Sequence, residues 1–319
     1  MRDGNGMDAS IQKTKIPGIV LVETMDVFYP LVDDPYIQGR ITCANVLSDL
    51  YAMGVSDCDN MLMYLGIARK MSPELKETVT KLFMRGFHDL AHEAGTKVTG
   101  GQTIQSPWYT IGGSATSVVQ ESEVIMPIHA KDGDVLVLTK PLGNQLAVNA
   151  HTWLFNEEKY NRVRDIISKE HVVDAYETAI RSMCRLNRNA AKLMHQHSVH
   201  ASTDVTGFGI LGHAENLASN QEADVDFVID TLPIIDKMWE VNAKVNFKLE
   251  IGRSAETSGG LLIALPAENA DAYIKELESI DECPAWIVGR VVSGTRKARL
   301  APNPTIIPIP YRPLPSRPF

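Results

Sequence analysis

No apolar run in this 319-residue chain is long enough to span a bilayer as a helix, which excludes a helical membrane protein. The amino terminus lacks the apolar stretch of a signal peptide: Met1-Arg2-Asp3-Gly4-Asn5-Gly6 is polar throughout. The sequence therefore predicts an intracellular, cytoplasmic protein. Cysteine is scarce. Cys43, Cys58, Cys184 and Cys283 form no C-x-x-C pair, so zinc and thioredoxin-type motifs are unsupported. Cys43 reads as a small buried apolar residue. Cys58 lies between Asp57 and Asp59, which raise its pKa rather than activate it. Clustered positive charge is also missing. The net charge is −8 with no basic stripe, which argues against nucleic acid as the main partner. Nucleotides stay open, because acidic proteins bind them through metal ions.

What is present is the composition of a soluble globular protein, 44% hydrophobic and 22% charged, in a chain long enough for two domains. A boundary falls around 126–131, before the turn Asp132-Gly133-Asp134. The expected division is an N-terminal domain over 1–127, a C-terminal α/β domain over 128–302 and a Pro-rich tail over 303–319. That tail is not expected to pack as regular structure.

The chain is organised around Asn45-Val46-Leu47-Ser48-Asp49-Leu50-Tyr51-Ala52-Met53-Gly54, read as a helix beginning near Gly39-Arg40. Asn45, Ser48 and Asp49 stand at i, i+3 and i+4 and share one face. The flanking residues read as buried, so this polar stripe is costly unless something satisfies it. A metal ion or a metal-bound phosphate would do so; a structural cap or a buried hydrogen-bond network would serve as well.

Around that helix, Gly18 to Asp26 reads as a strand rich in β-branched residues that ends in a carboxylate. In open α/β sheets ligands gather beyond such ends. Asp8 follows a glycine turn and could reach a metal or simply stabilise the turn. A helix is predicted from Ser72, with Pro73 in its first turn, to about Glu93, stopped by Gly95. His88 and His92 on it imitate H-E-x-x-H, but Asp89 stands where the zinc-protease base would be. Thr96 to Thr103 reads as a short strand running into a turn at Gly100-Gly101, where backbone N–H groups could converge on an anion; a plain hairpin is the alternative. Trp108 to Val119 reads as a strand interrupted at Gly112-Gly113 by a bulge or a close backbone contact.

In the second half, a strand over Val135 to Thr139 leads into a helix ending near Leu154, with helices over Val172 to Met194 beyond. Lys140 could touch phosphate, but reads as a solvated lysine. Asp204 sits in a polar, glycine-punctuated loop before the helical run Ile210 to Ala218, a good place for an ion. Glu256 to Gly260 forms a second Gly-Gly turn.

Several of these pieces together resemble the selenophosphate synthetase family: Glu23-Thr24-Met25-Asp26, Asp33-Asp34-Pro35-Tyr36, Asn45 to Gly54, Gly100-Gly101-Gln102-Thr103, Leu138 to Gly143, Thr203 to His213 and Thr257 to Leu262. They come in the family's order over nearly the whole chain, and Asn45 to Gly54 looks like eukaryotic members. The resemblance implies a two-domain α/β fold of the aminoimidazole ribotide synthetase type, whose N-terminal halves pair in a homodimer and bind ATP. It implies conversion of ATP, selenide and water to selenophosphate, AMP and orthophosphate. The triphosphate is held through Mg²⁺ on scattered aspartates without a Walker A loop, and K⁺ is a further candidate cation. Carried onto this chain, the metal contacts are Asp8, Asp26, Asp49 and Asp204. The nucleotide contacts are Thr24, Asp26, Asn45, Gly100, Gly101, Gln102 and Thr103. Neither nucleic acid nor membrane is an implied partner.

One departure stands out. Family members carry, upstream of the Gly-x-Asp motif, a glycine-rich segment with a cysteine or selenocysteine and a lysine. Met1 lies seven residues before Asp8, and Lys13 and Lys15 lie after it. No catalytic residue is therefore assigned. The expectation is that the natural protein is longer, its selenocysteine codon reading as a stop, or that the chain has been deliberately truncated; in either case this chain is expected to bind nucleotide with little or no selenophosphate formation. The competing reading is a catalytically inactive, nucleotide-binding dimeric regulator of selenium metabolism.

Overall fold

The computed structural model describes residues 7–312. Two compact units emerge: Met1–Ile125 with Leu186–His195, and Met126–Arg185 with Gln196–Phe319.

The first unit holds β1 (Ser10–Lys13), β2 (Ile19–Phe28), α1 (Pro35–Ala52), β3 (Asn60–Ala68), α2 (Pro73–Glu93), β4 (Val98–Ser106) and β5 (Thr110–Gln120). The sheet order is β1-β2-β5-β3-β4. All pairs are antiparallel except β3–β4, which the α2 crossover makes parallel. Both helices lie on one face, where Val20, Val22 and Thr24 of β2 alternate inward.

Helix α1 starts earlier than the sequence suggests. Asp34 caps it, accepting from the Tyr36 and Ile37 backbone N–H groups at 2.8 and 3.2 Å, and Pro35 occupies a first-turn position that needs no donor. The stretch Asp33-Asp34-Pro35 is thus a helix start and not merely a connection. Helix α2 matches its expected ends, from the Ser72 cap to Glu93, with Gly95 at φ +77° beyond. The two helices touch through glycines, as a Cβ on Gly86 would lie 1.9 Å from the Tyr36 carbonyl oxygen and one on Gly39 2.1 Å from that of Phe83. Buried Arg40 of α1 pairs with Glu93 of α2 through two 2.8 Å bonds.

Of the two glycine pairs, one departs from the reading and the other bears out its close-contact alternative. Gly100 and Gly101 are interior to β4, not at a turn. A register shift sits opposite them between Met61 and Leu62, and a Cβ on Gly101 (φ +138°) would meet the Met63 oxygen at 1.9 Å. Gly112 and Gly113 cause no break; β5 runs through them in regular register, close against the Asp26 and Leu62 carbonyls.

The second unit carries β6 (Asp134–Leu138), α3 (Asn144–Trp153), α4 (Glu157–Asn161), α5 (Lys169–Cys184), β7 (Ala201–Asp204), α7 (Gly209–Ser219), β8 (Val225–Ile235), α8 (Met238–Val245), β9 (Leu261–Pro266), α9 (Ala267–Asp281), β10 (Trp286–Ser293) and β11 (Ala298–Ile309). Its sheet runs β11-β8-β10-β6-β9-β7. The core strand β9, Leu-Leu-Ile-Ala-Leu, is wholly buried. The Pro-rich tail overturns its expectation. Residues 298–309 form β11, parallel to β8 with a shift between Leu300 and Thr305. An edge strand tolerates Pro302, Pro304 and Pro308 because one side of its backbone pairs with nothing. Residues 313–319 of the tail lie outside the described residues.

Helix α6 (Arg188–Gln196) begins after a break at 185–187, and its segment joins the first unit. Asn187 donates to the Ser48 hydroxyl at 3.1 Å, Arg188 binds the Ser56 carbonyl and Asp57, and His195 contacts the Gly54 oxygen at 2.8 Å. Cys58 is set mainly by burial, which raises its thiol pKa; the neighbouring Asp59 charge adds least.

Candidate functional site

From Ile37 to Ala52, every residue of α1 is buried except Asp49. The sheet and α2 enclose the helix, and one carboxylate reaches out. Thr24, one strand away on β2, donates its hydroxyl to Asp49 Oδ2. One turn back on α1, the Asn45 amide donates to Asp26 Oδ2 at 2.9 Å. Four predicted site residues are thus brought together. Thr24 and Asp26 share a strand face by the two-residue period, and Asn45 and Asp49 share a helix face by the four-residue period. Asp26 and Asp49 are both half-exposed, while Asn45 and Thr24 are buried. The Thr24 hydroxyl and the Asn45 amide, both uncharged, are among the groups that orient these carboxylates. The third member of the stripe, Ser48, is fully buried and receives Asn187, so part of the stripe is a structural network.

Asp8 is half-buried and lies two residues before Ser10, which pairs with Glu23. The chain therefore enters the sheet at the end of β2 that carries Thr24 and Asp26. Gly100, Gly101, Gln102 and Thr103 form a line of exposed residues along the edge strand β4. The structure gives them an open backbone edge and no phosphate-nest turn.

In the second unit Asp204 ends β7 and is buried. The loop after it is shaped by His213 of α7, whose Nε2 accepts from the Thr206 and Phe208 backbone N–H groups at 3.0 and 3.4 Å. Burial pushes this imidazole down to about 4, so it is neutral, and its accepting Nε2 leaves the proton on Nδ1. Glu256 closes the same loop, its backbone N–H reaching the Thr206 oxygen at 3.0 Å. Its carboxyl accepts from the Gly143 and Asn144 N–H groups at 2.7 and 3.0 Å, at the N-terminus of α3. Sequence reasoning took Glu256 only as part of a turn; no local pattern announces a cap supplied from 112 residues away.

Lys140 corrects its reading outright. It is 1% exposed and donates to the Arg185 and Ser258 carbonyl oxygens at 2.6 and 2.9 Å. Burial, with the Arg185 charge nearby, pulls its ammonium well below the usual lysine range. The side chain ties the end of β6 to the end of α5 and to the Glu256–Gly260 loop, so it is a structural strut and does not reach for phosphate from solvent.

Burial pushes the Glu256 carboxyl up to about 8 against the two N–H groups that favour its charge. The folded protein therefore holds this proton more tightly than the unfolded chain. Its stabilising contribution is complete below the ordinary glutamate value and is lost as pH climbs through about 8. Thermal unfolding from pH 5 to 9 is expected to show that decline. Glu256→Gln keeps the group neutral and flattens this part of the profile. Glu256→Ala strands two buried donors and is expected to cost about 2–4 kcal/mol. An alanine variant as stable as the parent would show that the cap does not matter.

A mixed five-stranded sheet in one unit and a six-stranded sheet in the other, with acidic side chains and no glycine-rich phosphate loop among the described residues, define a class. Residues 6–119 match the family "AIR synthase related protein, N-terminal domain", and residues 131–300 match "AIR synthase related protein, C-terminal domain". Within that class the chain is 55% identical over 310 residues to selenide, water dikinase 2 of Homo sapiens, covering 96% of this chain and 69% of the relative. It is 51% identical over 315 residues to probable selenide, water dikinase of Caenorhabditis elegans, covering 96% and 83%. The chain belongs to the selenide, water dikinase family, a family of phosphotransferases, as its motifs suggested. The fold is also that of thiamine-monophosphate kinase from Stenotrophomonas maltophilia, with a TM-score of 0.70, 21% identity and coverage of 90% and 87%.

Proposed function

We propose that this chain takes part in the ATP-dependent phosphorylation of selenide to selenophosphate, with AMP and orthophosphate as the other products, in the cytoplasm. One observation carries the reading: Asp49, the half-exposed exception on a buried helix, accepts from Thr24 of β2, while Asn45 on the same helix face donates to Asp26 of that strand. The donor set is all oxygen, which suits Mg²⁺ and, more weakly, K⁺. Asp8, Asp26 and Asp49 are the candidate metal ligands of the first unit and Asp204 that of the second. Mg²⁺ would neutralise the charge of a bound triphosphate; the chain's own residues hold and orient it. Thr24 and Asn45 fix the carboxylates, and Gly100, Gly101, Gln102 and Thr103 offer backbone and side-chain donors to the nucleotide.

The test is phosphorus NMR of the chain with ATP, Mg²⁺ and selenide. Mg²⁺-dependent ATP binding with slow, selenide-dependent formation of AMP and selenophosphate is the expected result. Mg²⁺-dependent ATP binding with no AMP would favour the regulator reading, and no ATP binding would overturn both.

A homodimer belongs to the same proposal. The sheet face of the first unit opposite its helices exposes Met25, Val27, Leu62, Ile104 and Val118, from four strands. A second copy of the chain is the occupant that the family resemblance implies for this apolar surface. Val27→Glu with Val118→Glu is expected to convert a dimer to a monomer in sedimentation equilibrium. A parent chain that is already monomeric at micromolar concentration would remove this part of the reading.

A further inference from the structure

We propose that the second unit carries a binding pocket for a small oxyanion, lined by Arg181 and Ser182 of α5 together with Arg185, Cys283, Trp286 and Arg312, none of them among the acidic residues discussed above. The cavity is about 40 Å³, room for a compact group, and its walls are largely apolar. Three guanidiniums line one small cavity in a chain whose net charge is −8. Asp281, 3.4 Å from Arg185 Nη1, pairs with one of them. Each guanidinium has five N–H donors in a planar fork that matches a carboxylate or a phosphate. Arg185 spends donors on Asp281 and the Thr139 carbonyl, and Arg312 places Nη1 on the Glu282 oxygen and 3.4 Å from Cys283 Sγ.

The second, independent sign is Ser182. This residue is 7% exposed and its hydroxyl is buried without a hydrogen-bond partner. One turn earlier on the same helix face, Thr178 shows what such a hydroxyl ordinarily does: it donates to the Asp174 carbonyl at 2.8 Å and accepts the Arg312 N–H at 2.8 Å. A buried hydroxyl left unmatched costs free energy. An anion held by the arginines would accept from it. The apolar walls, Trp286 among them, favour an oxyanion on a small apolar body over a bare ion.

Cys283 provides the reporter. It is half-buried, whereas Cys43, Cys58 and Cys184 are buried, so a neutral alkylating agent should mark it selectively in the native chain. Iodoacetamide labelling, read residue by residue by mass spectrometry, is run with phosphate, acetate or benzoate against chloride at equal ionic strength. The expected result is at least fivefold slower labelling of Cys283 with acetate, a smaller effect with phosphate, and none with chloride or with benzoate, whose ring exceeds the cavity. Equal protection by chloride, or none by acetate and phosphate, would overturn the proposal. Calorimetric titration of acetate gives a readout independent of the thiol. Ser182→Ala is expected to weaken acetate binding at least threefold while leaving the unfolding temperature unchanged or higher. Unchanged binding with a lower unfolding temperature would make the hydroxyl structural and sink the site.

Discussion

Asp49→Asn is expected to leave the fold intact and to lower selenide-dependent AMP formation by about 10²- to 10³-fold, the usual cost of losing one preorganised electrostatic contact to a reacting group. The substitution preserves shape, and the asparagine carbonyl oxygen still accepts from the Thr24 hydroxyl, as Asp49 does now. What disappears is one negative charge at the half-exposed end of a buried helix. A Mg²⁺-bridged triphosphate needs that charge, and a metal-free ligand would be repelled by it. The sharpest readout is therefore the Mg²⁺ dependence of ATP affinity, which should weaken by at least about tenfold, or ~1.4 kcal/mol. Asp26→Asn should act in the same direction, because Asn45 can keep its 2.9 Å bond to an amide oxygen. Ser48→Ala is the control. Ser48 shares the helix face but receives only an intramolecular hydrogen bond, from Asn187, so stability should drop with little change in affinity. Unaltered Mg²⁺-ATP affinity in both aspartate variants would sink the metal reading of this face.

Gly86→Ala is expected to destabilise the first unit by about 3 kcal/mol or more, although alanine is the better helix former by about 1 kcal/mol. The new methyl would sit 1.9 Å from the Tyr36 carbonyl oxygen, a main-chain atom in the first turn of α1. A flexible side chain could swing aside; a capped helix turn cannot. The crossing helices would have to part, opening the layer of Phe83, Phe87 and Leu90 and shifting the helix that carries Asn45 and Asp49. Gly39→Ala should behave alike, since its methyl meets the Phe83 oxygen and the Phe87 nitrogen at 2.1 and 2.7 Å. Urea unfolding measures the loss directly. A Gly86→Ala chain of parental stability would mean that these helices do not meet through their glycines. Gly133→Ala offers a contrast: nothing lies within 4 Å of the added carbon, so any cost there comes only from its φ of +93°.

The features legible in the sequence were those whose cause lies within a few residues. Helix α2 was bounded correctly because Ser72, Pro73 and Gly95 are local signals of start and stop. The polar face of α1 was visible because 45, 48 and 49 share one side of any α-helix. The start of α1 was missed by a turn because Asp33-Asp34-Pro35 serves equally as a linker or a cap, and only the geometry of the Tyr36 and Ile37 N–H groups separates the two. Gly100 and Gly101 looked like a turn because paired glycines usually mark one. Here they lie beside a register shift in the β3–β4 pairing. Lys140 looked solvated because a lysine in a loop usually is. The carbonyls that hold it come from 45 and 118 residues away.

By itself the sequence determined the family, the two-part α/β plan and the residue types at the acidic face, since these depend on short patterns and their order. Tertiary structure alone decided which polar residues are structural and which face outward. It separated Ser48 from Asp49, put Lys140 inside, made residues 303–309 of the Pro-rich tail part of a strand and placed Glu256 on the end of α3. The physical reason is that burial and long-range hydrogen bonds are properties of the packed chain. A side chain's charge, exposure and partner are set by segments whose approach no local pattern encodes.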